Sequence, residues 1–187
     1  MKKFKLTSEF IVDISGVKLF RIKALIEFGN VKAGDLGGYI EKEENLSHMG
    51  DAWVSDDARI SGNAQVFGNA RVFGNAWVSG NARVSGDTQV FGDARVFGNA
   101  RVSGDAQVFG DARVSGDKDY AYAHGFGSCN RTTTFFRLKD GDVGVRCGCF
   151  YGTLAQFRDK VCETHGETKK AQEYLMLADL MEIRFKN

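Results

Sequence analysis

From Val54 to Val114 a β-branched apolar residue returns at every sixth position: Val54, Ile60, Val66, Val72, Val78, Val84, Val90, Val96, Val102, Val108 and Val114. Two residues ahead of each stands a small one, Ala at ten places and Thr88 at the eleventh. Residues two apart on an extended segment share one face, so each Val and its Ala point the same way. Between hexads comes Gly followed by Asn or Asp, as in Gly68-Asn69 and Gly92-Asp93. These residues tolerate the positive φ of a tight corner. A chain that turns after every short strand, with the same side always inward, winds into a prism.

The unit V-[SF]-G-[ND]-A-[RQW] over residues 52–117 resembles the hexapeptide-repeat left-handed β-helix family. That resemblance implies three hexads per coil, a left-handed crossover where right-handed ones are the rule, and trimers with parallel axes. The expected fold is mainly β. It has an N-terminal β cap over 1–45, a left-handed parallel β-helix over 46–117 and a small C-terminal α+β unit, ordered ββαα, over 118–187.

Residues 18 apart then stack in columns about 4.8 Å apart. The residues flanking each Val point outward. One side stacks Phe73, Phe91 and Phe109 beside Trp53, Arg71, Gln89 and Gln107. The second carries Arg59, Trp77, Arg95 and Arg113 with Phe97, and the third Gln65, Arg83 and Arg101 with Phe67. Each Phe can bury about 150–250 Å², so the three-Phe column reaches the size of the largest apolar patches on soluble monomers. Phe73, Phe91, Phe109 and Trp53 are therefore the expected interface of a homotrimer, the competing reading being a solvated ladder that stabilises the strand stack.

A solenoid needs caps on its open strand ends. Residues 10–14 and 17–22 alternate around Ser15-Gly16, a hairpin signal. After Asp117 the repeat stops. Residues 132–138 and 143–150 read as strands joined at Asp140-Gly141. Thr153 and Gln156 form a capping box, the helix it starts stops at Gly166, and Thr168 starts a second.

Lys and Arg number 25 against 24 Asp and Glu, a net charge of +1. That balance argues against a nucleic acid polymer or an anionic membrane as partner. No run of about 18 apolar residues reads as a span, and MKKFKLTSEF lacks the apolar stretch of a signal peptide. The expected location is the cytoplasm, a host's if the chain is phage-encoded, with Cys129, Cys147, Cys149 and Cys162 as buried thiols.

Acyl transfer, the commonest activity among hexapeptide-repeat enzymes, calls for a histidine base. Of the three histidines, His48, His124 and His165, none lies in the regular coils, so no catalytic residue is assigned. His48 is expected to serve the N-terminal cap. Cys147-Gly148-Cys149, read as one strand, would aim two thiols at one face. The C-x-C spacing lacks the usual zinc loop, so no metal and no cofactor is expected.

The most suggestive stretch is 125–134, which joins glycines, hydroxyls and an arginine, the parts of an anion site. Gly127, Ser128, Asn130, Arg131, Thr132 and Thr134, with Arg137 and Arg146 on the paired strands, are the expected ligand residues. Generic loop composition is the bland alternative. The segments DLGGYIEKEENLS and GSCNRTTTFFRLKDG, with the coils and VRCGCFYGTLAQFRDKVCETHGE, are similar to uncharacterised phage and prophage proteins. In that setting small oligomers bind and neutralise host molecules, including nucleotide signals used in defence. The expectation is a non-catalytic homotrimer holding a small anionic, nucleotide-like ligand. An acyltransferase or a structural interaction module are the alternatives.

Overall fold

The structure, a computed structural model, describes residues 1–127 and 131–186. An antiparallel hairpin opens it, β1 (Phe4–Val12) against β2 (Lys18–Ala24), and β3 (Leu36–Ile40) pairs with β2. Eleven two-residue strands follow, one per hexad: β4 (Trp53–Val54), β5 (Arg59–Ile60), β6 (Gln65–Val66), β7 (Arg71–Val72), β8 (Trp77–Val78), β9 (Arg83–Val84), β10 (Gln89–Val90), β11 (Arg95–Val96), β12 (Arg101–Val102), β13 (Gln107–Val108) and β14 (Arg113–Val114).

Each strand pairs in parallel with the strand three hexads on, so the chain is a three-faced parallel β-solenoid. The first face is the ladder β4-β7-β10-β13, the second β1-β2-β3-β5-β8-β11-β14, and the third β6-β9-β12. Backbone N–H groups donate from one coil to the next, as Arg71 N to Thr88 O (2.9 Å) and Phe73 N to Val90 O (3.0 Å). The inward residues of all eleven hexads are at most 1% exposed. Burying one Val contributes roughly 1.5–3 kcal/mol, so this single column set carries the solenoid.

Corners close as the Gly-Asn/Asp pattern asks. Gly86 has φ 71°, and a Cβ there would meet Gly104 N at 2.9 Å, so both conformation and stacking exclude larger residues. Asp56 occupies a corner at φ 55° and accepts from Gly74 N (3.0 Å) with its own carboxylate. This bond ties the corner to the next coil, at a residue type that enters this region more readily than most.

At the N-terminal rim the first coil's carbonyls have no preceding coil to serve them. On the first face Lys3 Nζ donates to Gly50 O (3.1 Å) and Ala52 O (2.7 Å). On the third, Asn45 Nδ2 donates to Gly62 O (3.1 Å) and Ala64 O (2.8 Å). On the second, β3 itself continues the sheet. Lys3 is 2% exposed, and burial holds its ammonium down to about 8, partly opposed by Asp51.

The C-terminal unit has four strands rather than the expected two: β15 (Tyr120–Phe126), β16 (Arg131–Arg137), β17 (Val143–Cys147) and β18 (Phe150–Thr153), an antiparallel meander in chain order. Helices α1 (Leu154–His165) and α2 (Lys169–Phe185) pack against it, with the Thr153–Gln156 capping box and Gly166 (φ 55°) placed as expected. The meander splits what reads as one strand over 143–150, because Gly148 (φ 58°) and Cys149 form a two-residue turn with Gly first. Such a turn matches the twist of the flanking strands. Among the described residues no helix is long and apolar enough to cross a membrane.

Candidate functional site

The C-terminal unit sits on the last coil of its own solenoid, and this contact decides which polar groups remain for a ligand. Gln107 N donates to Thr134 Oγ1 (3.1 Å), and Ala112 bridges Leu138. Arg146 Nε donates to Gln107 Oε1 (3.0 Å) while its guanidinium covers Phe109 at 5.2 Å. Tyr120 OH donates to Ser103 O (2.9 Å), and burial pushes this phenol well above its ordinary pKa.

Three of the expected ligand groups are thereby committed elsewhere. Thr134 is 1% exposed and serves the free strand edge. Arg146 anchors the unit to the coil. Arg137 donates to Gly141 O (3.0 Å) and Phe185 O (2.8 Å) and stacks on Phe185, tying the α2 end to the sheet.

The stretch expected to be a glycine loop is largely a hairpin, with Phe126 opposite Arg131. Ser128 and Asn130, with Cys129, lie outside the described residues. The Gly127 N–H already holds an anion, the Glu173 carboxylate of α2 at 2.9 Å.

Arg131 and Thr132 remain. They line a cleft of about 480 Å³ together with Asp105, Gln107, His124, Gly148 and Cys149. The Arg131 guanidinium lies over the Gly148 turn, where a Cβ would come 2.8 Å from Nη1. Thr132 Oγ1 is 3.0 Å from His124 Nδ1. Sequence reasoning missed His124, Asp105 and Gln107. The last two are ordinary hexad positions, and only the docked sheet turns them into a wall.

The other candidates resolve differently. His48 accepts from Lys3 N at Nδ1 (3.1 Å), contacts Glu43 Oε1 at Nε2 (2.7 Å) and stacks on Phe4 at 4.4 Å. With both nitrogens engaged it locks the N-terminal cap, and Lys2 and His48 together hold the Glu43 carboxyl below its usual range. Cys147 accepts from Thr133 Oγ1 (3.2 Å), but Cys149 and Cys162 are exposed, contrary to the expectation of buried thiols. The two thiols of 147–149 stand on a strand end and in a turn, not on one face. Among the described residues no group of three or more His, Cys, Asp or Glu is arranged to hold a metal.

The Phe column stacks as the repeat demands. Phe73, Phe91 and Phe109 have centroids 4.8 Å apart at each step, with ring planes within 2° and 10°. Tyr151 continues it at 4.3 Å from Phe109. All three are half-buried. Trp53 is 7% exposed because Phe28 of the N-terminal segment meets it edge-on at 5.4 Å.

Residues 64–80, 76–92 and 94–106 match the model of the YdcK beta-solenoid repeat. No curated protein matches the chain.

Proposed function

We propose that this chain is a non-catalytic, homotrimeric binding scaffold that holds a small anionic, nucleotide-like ligand in the Arg131 cleft. The observation that carries this reading is Arg131 itself. Its guanidinium has no hydrogen-bond or ion-pair partner among the described residues, and it stands in a cleft where Thr132, His124 and Gln107 can hydrogen-bond a ligand, with the Asp105 carboxylate on the solenoid wall. A guanidinium fork matches a phosphate or carboxylate bidentately.

Trimerisation rests on the Phe73–Phe91–Phe109 column, a flat apolar strip of the kind that marks subunit contacts. The phage or prophage setting that the sequence resemblance implies would make sequestration of a host nucleotide signal the role. Native mass spectrometry of protein purified from cells tests both parts. Three chains with up to three anionic small-molecule adducts are expected. A monomer that carries no adduct and takes up none from added nucleotides would overturn the proposal.

A further inference from the structure

The third face differs from the other two in how it ends. The second continues into the N-terminal hairpin, and the first meets Tyr151 through Phe109. The third has only three strands. At its N-terminal end Leu46 bridges Val66, and Glu44 and Ser47 line a cleft of about 490 Å³ with Gln65, Phe67 and Arg83. At its C-terminal end Tyr122 covers Gly104, and a cleft of about 500 Å³ is lined by Arg101, Tyr122, Leu180 and Met181, with Arg184 beside Asp117. The face thus ends in two separate clefts, one with Glu43 and Glu44 at its N-terminal wall and one that mixes apolar surface with Arg101, Arg184 and Asp117 at its C-terminal wall.

It carries Gln65, Arg83 and Arg101 in register on neighbouring strands, about 4.8 Å apart. Like charges side by side on a sheet repel. The second face has the same arrangement at Arg95 and Arg113, but there it is relieved. Arg113 donates to Asp93 O (3.0 Å) and Ala112 O (2.8 Å), and Arg95 covers Trp77 at 5.5 Å. On the third face Arg83 rests over Phe67 at 5.2 Å, and neither Arg83 nor Arg101 has a hydrogen-bond or ion-pair partner among the described residues. Ser85 and Ser103 flank the pair with outward hydroxyls.

We propose that this face binds a small aromatic phosphate, the phosphate held between Arg83 and Arg101 and the ring laid against Tyr122 and Leu180. Two guanidiniums one strand apart can straddle a dianion and supply forked donors from both sides. Tyr122 is 44% and Leu180 55% exposed, open apolar surface in the same cleft as Arg101. Glu44 at the N-terminal wall disfavours the phosphate there, and the exposed Tyr122 and Leu180 set the ring toward the C-terminal end. This site shares no residue with the Arg131 cleft and stands or falls independently of it.

Calorimetric titration of the full chain carrying Arg131→Gln removes any contribution of that cleft. AMP and phenyl phosphate are expected to bind more tightly than inorganic phosphate, because only they carry a ring; a preference for AMP over phenyl phosphate would mark a nucleotide, and equal affinity any aryl phosphate. Adding Arg83→Gln and Arg101→Gln together should weaken all three by about a hundredfold, without loss of folding since both side chains are exposed. Tyr122→Ser, or Leu180→Ser if the tyrosine proves needed for folding, should weaken AMP and phenyl phosphate by about tenfold and leave inorganic phosphate unchanged. Failure of AMP and phenyl phosphate to bind at millimolar concentration, or undiminished binding in the double arginine variant, would overturn the proposal.

Discussion

In the solenoid a residue's neighbours are its own counterparts one coil away; in the C-terminal unit they are whatever the last coil presents. Val84 pairs in register between Val66 and Val102, all at most 1% exposed, so its environment is a copy of itself. Thr134 is just as buried, but it accepts from Gln107, a residue 27 positions back in another kind of structure. The repeat makes long-range contacts periodic and therefore readable. The cap's long-range contacts occur once each, and so leave no pattern.

The strongest way to break that contrast is within the repeat. Val84→Asp buries a carboxylate among Val and Ala with no partner, at a cost of several kcal/mol. Soluble protein should be lost, and a wild-type melting curve would show that the inward column is not the core. On the outward side the effect should move from fold to assembly. Phe91→Asp puts a charge between two rings stacked at 4.8 Å, so light scattering should report smaller species with the solenoid's circular dichroism kept. An unchanged trimer would move the interface off this face.

In the cap the test is Thr134→Val, which keeps shape and removes the acceptor for Gln107 N. It should cost about 1–3 kcal/mol, whereas Thr132→Val, at the half-buried cleft rim, should stay within about 0.5 kcal/mol. Equal effects would mean the two threonines do the same job.

The smallest effect lies at the opposite rim. Lys3 sheds its proton at about 8 in the folded chain against 10.5 for an ordinary lysine. Between those values the unfolded chain binds more protons, so stability rises with pH across that window and is flat below it. Compared with Lys3→Met, the wild type should therefore gain stability as the pH rises through this window. Parallel stability curves for the two proteins would contradict the buried placement of this amine.

The same contrast explains what could be read beforehand. Hexad spacing located all eleven short strands, the inward Val/Ala set and the stacked phenylalanines, because each follows from a period. Thr153-x-x-Gln156 and Gly166 marked α1, because capping is local. β15 was not legible: Tyr120–Phe126 follows the last hexad with alternation interrupted by Gly125, and its pairing with β16 is what defines it. Nor was the division of labour among Arg131, Arg137 and Arg146, three similar guanidiniums. Only the docked geometry shows Arg137 on Phe185 O, Arg146 on Gln107 Oε1, and Arg131 over an open turn.

Docking on the solenoid uses Thr134 and Arg146 for structure, and we propose that it leaves Arg131 for a ligand. Isothermal titration of an anionic nucleotide into wild type, Arg131→Ala and Thr134→Val, each with its melting temperature, tests it most directly. Arg131→Ala should weaken binding about ten- to a hundredfold at unchanged melting temperature, and Thr134→Val should melt earlier yet bind as wild type below its transition. Equal binding by Arg131→Ala, or loss of binding in Thr134→Val while it remains folded, would contradict the account.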